Sequence, residues 1–312
     1  MESPIQPAWH PSPGLKNHAG VPLTDDRLFF IAPPEAIGPV ISASTSLLVQ
    51  PKKKSLKDRL LGPVVGGIAI GFFVGIVLLA LSAAPPISLG VGGVAAIAFG
   101  GWCYYDDGIF RAECSYLGEQ GIAQYALKGS PTATPTAKVM QFEDAAQLRT
   151  QQTRVYKNGA YQRTNYRFSW QQRGQSEYVI NGSYHNEKGL PEPWHVFHLG
   201  AAAEIIWTQR LLKFANQDLA EKGYVEFPVG KEVQSVKVGS NFLEFVTPAG
   251  ESQRATVADM KQVQLNAGQF RFVHRDAKWW SGKGKYGFTY GSMPNARLFL
   301  MCLQQLAGIQ FG

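Results

Sequence analysis

Cysteine is scarce: the 312 residues hold three, Cys103, Cys114 and Cys302, at scattered positions. An odd, unclustered set excludes a disulfide framework and every metal module built on several cysteines. Catalytic signatures are missing too. No G-x-S-x-G elbow occurs, and none of the cysteines has a histidine nearby. Around Gly282-Lys283-Gly284-Lys285 the phosphate-loop frame fails, because Trp279 stands where its first glycine belongs. His195 and His198 lie three apart, with Glu192 and Glu204 as candidate further ligands, but they read as helix-terminal side chains packed beside Trp194 and Phe197. The expectation is a chain that is not an enzyme and has no catalytic residues, no metal and no cofactor. A net charge of +7 is too small for this length to argue for nucleic acid. The 12% aromatic content excludes a largely disordered chain, and the mean hydropathy of −0.12 excludes a polytopic transporter.

Charge is absent altogether from Gly62 to Tyr105, a run divided by Pro85-Pro86. About 20 apolar residues in a helix cross a roughly 30 Å hydrocarbon core, and backbone groups in hydrocarbon must bond within their own segment. The run therefore predicts a two-helix transmembrane hairpin over 62–105, with Trp102, Tyr104 and Tyr105 at headgroup depth. Before it stand Lys52, Lys53, Lys54, Lys57 and Arg59 against Asp58 alone, while the connecting turn carries no charge. Basic flanks stay cytoplasmic, so the expected place is the cytoplasmic (inner) membrane, with two spans and both termini in the cytoplasm. Gly67, Gly71 and Gly75 recur every four residues, as do Gly92, Ala96 and Gly100. Small faces of this kind let helix backbones approach closely. Packing of the two spans on each other is the preferred reading, and pairing with a second copy or a membrane partner is the alternative.

Residues 1–61 hold nine prolines by position 51 and read as an extended cytoplasmic tail with one apolar island, Leu28-Phe29-Phe30-Ile31. After the membrane the pattern becomes β-rich. Cys114 to Leu127 reads as a hairpin around Gly118–Gly121, and Val155-Tyr156-Lys157 faces Ala160-Tyr161 across Asn158-Gly159, a strong hairpin signal. Tyr166, Phe168 and Trp170 alternate with polar residues, and an amphipathic helix is expected over about 194–222, ended by Gly223. Short strands then recur from Val233 to Tyr290, and a helix from Pro294 or Asn295 to Ala307 closes the chain.

The stretch NFLEFVTPAGESQRATVADMKQVQLNAGQFRFV resembles the strand rhythm of bacterial pleckstrin-homology-like domains. With CSYLGEQGIAQY and YKNGAYQRTNYRFSW behind a membrane hairpin, the chain is similar to a bacterial membrane-protein family with such domains, one that lends no activity. The resemblance implies an α+β fold of tandem bent antiparallel sheets, each closed by a C-terminal helix, over 106–222 and 223–312.

The last block carries +4 of the net charge, much of it in RFVHRDAKWWSGKGK. There Arg271, Arg275, Lys278, Lys283 and Lys285 flank Trp279-Trp280 against Asp276 alone. Amphipathic rings beside cations suit an anionic membrane surface; the bland reading buries both tryptophans beneath the sheet. The leading expectation is a membrane-anchored interaction or scaffold protein, or accessory subunit, that presents the tandem module to membrane or cytoplasmic protein partners. The alternative is a sensor of anionic lipid acting through 271–285.

Overall fold

The computed structural model describes residues 5–49, 56–80, 85–108, 110–230 and 233–309. The fold is α+β with antiparallel sheets. In chain order it begins with strand β1 (Val40–Thr45), then helices α1 (Leu56–Ala80) and α2 (Pro85–Gly108). Strands β2 (Phe110–Gly118), β3 (Gly121–Gly129) and β4 (Thr136–Gln141) join β1 in a four-stranded sheet of order β1-β2-β3-β4. Strands β5 (Ala145–Lys157), β6 (Ala160–Gln172) and β7 (Tyr178–Tyr184) form a three-stranded sheet, and α3 (Phe197–Lys222) follows. The same sequence of elements then repeats. Strands β8 (Tyr224–Pro228), β9 (Ser235–Gly239), β10 (Phe242–Val246) and β11 (Ser252–Thr256) make four. Strands β12 (Met260–Asn266), β13 (Gln269–His274) and β14 (Lys285–Thr289) make three, and α4 (Ala296–Gln305) ends the block.

Two sequence expectations are corrected here. Residues 5–49 are folded: β1 pairs antiparallel with β2, matching Thr45 with Cys114 and Ala43 with Tyr116. The first block therefore starts before the helices rather than at residue 106, and α1 and α2 are an insertion between two neighbouring strands. The physical reason lies in β2 and β3, which are buried on both faces. Leu117, Ile122 and Met140 enter one core, and Cys114, Tyr116, Ala123 and Tyr125 enter another on the opposite side. That second face needs a cover, and the proline-rich segment supplies it with Phe29, Ile37, Trp9 and Leu23. Trp9 meets Phe29 and Tyr116 edge-on at 5.0 and 5.3 Å, and the Tyr116 hydroxyl donates to the Ile31 carbonyl. Full burial of an aromatic such as Phe29 contributes about 2–3 kcal/mol, which prolines between the anchors do not oppose. The apolar island of 28–31 thus docks on its own chain.

Local signals hold where they are local. Asn158 and Gly159 have φ of 51° and 78°, the turn that joins β5 to β6. Gly223 caps α3 in the left-handed region at φ 77°, its N–H donating to the Leu219 carbonyl. Leu199, Ala203 and Trp207 of α3 pack into the first block, whereas Leu211 touches both cores and Ala215 belongs to the second. At the junction Asn295 adopts φ 55° and acts as a surrogate strand partner for β5. Its N–H donates to the Leu148 carbonyl at 2.7 Å. Its Oδ1 accepts from the Leu148 N–H at 3.0 Å and from Trp207 Nε1 at 2.8 Å.

Helices α1 and α2 pack antiparallel through small residues. A Cβ placed on Gly71 would lie 2.7 Å from the Gly92 oxygen and 2.6 Å from Ala96 Cβ, and one on Gly67 would lie 2.8 Å from the Ala96 oxygen. Among the described residues one helical segment, Pro63–Ala80 with a mean hydropathy of 2.4, is long and apolar enough to cross a membrane. The apolar part of α2 is Gly90–Gly100, about 16 Å at 1.5 Å per residue.

Candidate functional site

The basic, tryptophan-bearing segment forms the end of β13, the connection 275–284 and the start of β14. Along β13 Phe270 and Phe272 point into the core, so Arg271 between them faces solvent. The connection is a chain of turns closed at its neck, where the His274 N–H donates to the Gly284 carbonyl at 2.8 Å. Gly284 takes φ 77° there, and a Cβ on it would lie 3.3 Å from the Cβ atoms of Ala277 and His274. Arg275 belongs to the scaffold: its guanidinium pairs with the Asp259 carboxylate and its N–H donates to the Asp259 carbonyl at 2.7 Å. Lys285 is scaffold as well, with Nζ donating to the Trp279 carbonyl at 2.9 Å.

What the scaffold presents is the tryptophan pair. Trp279 is 85% exposed and Trp280 66%, with the rings edge to face at 5.5 Å. Lys278 Nζ stands 5.5 Å from the Trp280 ring centre, and Lys278 and Lys283 are both exposed. Neither tryptophan packs beneath the sheet, so the bland reading of this segment fails. Two aromatic rings held in water, beside two ammonium groups, form an amphipathic tip whose apolar area is left largely uncovered by the described residues.

The other expected residues fall elsewhere. Gly67, Gly71, Gly92, Ala96 and Gly100 meet in the α1–α2 seam, with Gly75 at its edge against Gly92. Lys52, Lys53 and Lys54 lie outside the described residues; Lys57 and Arg59 fall in the first turns of α1. His198 Nε2 donates to the Pro191 carbonyl at 3.0 Å, and His195 Nδ1 accepts the Phe197 N–H at 3.2 Å, so both are occupied in shaping the entry to α3. Among the described residues no cluster of three or more His, Cys, Asp or Glu is placed to hold a metal.

A second concavity, on the first block, escaped the sequence reading. It brings His18 and Arg27 of the N-terminal segment against β2, β3 and β4 and the residues 194–196 before α3. Buried His18 bonds to the hydroxyls of Ser42 at 2.7 Å and Ser115 at 3.0 Å. Its pKa is lowered to about 3, mainly by burial and further by nearby His198. Asn17 Nδ2 donates to the Pro193 carbonyl at 3.1 Å, fastening the segment to the same wall. Contributors so far apart in the chain leave no spacing for a motif to record. No family model matches the chain, and no curated protein sequence matches it.

Proposed function

We propose that this protein is a membrane-anchored, non-enzymatic interaction module that rests the β13–β14 loop on an anionic bilayer surface. The observation that carries the reading is the exposed Trp279–Trp280 pair between Lys278 and Lys283. Rings of this kind settle at headgroup depth, and each lysine near anionic lipid contributes about 1 kcal/mol.

The anchor is α1 together with α2. Strand β1 leads into α1, α2 leads out into β2, and the two strands are hydrogen-bonded neighbours. Both ends of the helical pair therefore lie on one side, which favours two crossings over one. The short apolar part of α2 is accommodated against α1, since the glycine seam closes one face while Phe72, Phe73, Val94 and Ile97 turn outward. By the basic residues before α1 that side is the cytoplasm. The repeated order of four strands, three strands and a helix supports the tandem pleckstrin-homology-like reading, and such a platform suits protein partners on its remaining sheet surfaces.

The test places the full-length protein in nanodiscs containing brominated phosphatidylcholine, with and without phosphatidylserine. Tryptophan quenching is compared between wild type and Trp279→Ala/Trp280→Ala. The difference signal is expected to be quenched, and more strongly with phosphatidylserine. An unquenched pair in both lipids overturns the reading.

A further inference from the structure

The concavity on the first block has a volume of about 580 Å3 and plays no part in the loop site. It runs across all four strands at the register Thr45, Cys114, Tyr125 and Ala137. Arg27 stands on its rim with the guanidinium 3.6 Å from the Trp194 ring centre and only 17% of its side chain exposed. That stacking fixes the plane of the group. A guanidinium has five N–H donors, yet among the described residues that of Arg27 makes one hydrogen bond, from Nη1 to the Thr45 carbonyl at 3.4 Å. Its Nε is buried without a hydrogen-bond partner, and the exposed Asp26 carboxylate is 3.9 Å away. Among the described residues the Nη2 end of the fork has no hydrogen-bond partner.

Other donors converge on the same space. Lys138 of β4 lines it with an exposed ammonium. The Gln124 side chain has its oxygen occupied by the Tyr178 hydroxyl at 2.9 Å, which leaves the NH2 group as its unused end. The lining holds one carboxylate, Glu113. A planar fork, an ammonium and an amide around a polar cavity match the oxygens of a phosphate group, which guanidinium binds through two parallel hydrogen bonds.

We infer that this cavity is an anion site that takes a phosphate group on the Arg27 fork, with Lys138 as the second cation. Two sources present that chemistry. Glu113 is five residues beyond the end of α2 at Gly108, about 17 Å along an extended chain, so a lipid headgroup is within range. A soluble phosphate ester could enter from solvent.

The experiment measures thermal unfolding of the full-length protein in two arms. In neutral detergent, millimolar inorganic phosphate is compared with chloride at matched ionic strength. In nanodiscs of phosphatidylcholine, phosphatidic acid is added or omitted, and Trp279→Ala/Trp280→Ala is present throughout so that the loop does not contribute. Each arm is repeated with Arg27→Lys, which keeps the charge and removes the fork, and with Lys138→Gln, a change at an exposed position. Stabilisation is expected in one arm, identifying the source, and each variant is expected to weaken the apparent affinity by about tenfold. General salt stabilisation is common to all variants and cancels. No stabilisation in either arm, or stabilisation that both variants retain in full, overturns the inference.

Discussion

Asn295 bonds the second block to Leu148 and Trp207 of the first, and replacing it measures how strongly it couples them. Its side-chain oxygen is the acceptor for the Leu148 N–H and for Trp207 Nε1, and both donors belong to residues 2% exposed. Asn295→Ala strands both. Each buried donor left unpaired costs about 1–3 kcal/mol. The left-handed φ of 55° adds about 1 kcal/mol for a residue with a Cβ and no local hydrogen bond. The total is about 3–7 kcal/mol, a large share of the stability of an ordinary domain. Asn295→Gly removes only the backbone part of that penalty, so it should recover about 1 kcal/mol. Asn295→Asp keeps an acceptor and should lose least. The assay is urea unfolding of the full-length protein in detergent, followed by tryptophan fluorescence. Wild type is expected to unfold in one transition and Asn295→Ala in two. A loss below about 0.5 kcal/mol for Asn295→Ala, with a single transition retained, would refute the idea that this residue couples the blocks.

Three further outcomes follow from the packing and the titration of buried groups. His18 has its pKa lowered to about 3 when folded, so between that value and its ordinary 6.5 the unfolded chain binds the extra proton. Stability therefore falls as pH drops through that window, by about 2 kcal/mol from pH 7 to pH 5. His18→Gln should flatten that slope, and an equal slope in both proteins counts against it. A Cβ on Gly200 would lie 2.2 Å from the Phe168 ring, so Gly200→Ala should cost about 2–3 kcal/mol in urea unfolding. Gly71→Val should drive α1 and α2 apart, seen as a lower unfolding temperature in detergent; an unchanged value would mean the seam of Gly71, Gly92 and Ala96 is not tightly closed.

The insertion of α1 and α2 between β1 and β2 constrains how such a protein can be built. A sheet edge that depends on a strand synthesised before α1 and α2 completes only after both helices and β2 are made. Truncation at the end of α2 would remove β1 from β2 and uncover Tyr116 and Cys114, so a fragment beginning at residue 106 lacks the cover of one face of its first sheet.

The uncharged run, the Asn158-Gly159 hairpin and the Gly223 cap were legible because each is a property of neighbouring residues: hydropathy, a positive-φ pair, a left-handed terminator. The tryptophan-bearing loop was legible as composition, but whether its rings faced water or the sheet was not. The folded chain buries Phe270 and Phe272 and leaves Trp279 and Trp280 in water. The role of the proline-rich segment stayed hidden for a different reason. Its partners on β2 and β3 follow α1 and α2 in the chain, and the strand ladder of β1 forms against β2. Arg27 and Trp194 likewise meet only in the folded chain. Local chemistry decided which elements form and which helix is long and apolar enough to cross a bilayer; long-range pairing decided which strand completes the first sheet and where the Arg27 guanidinium comes to rest.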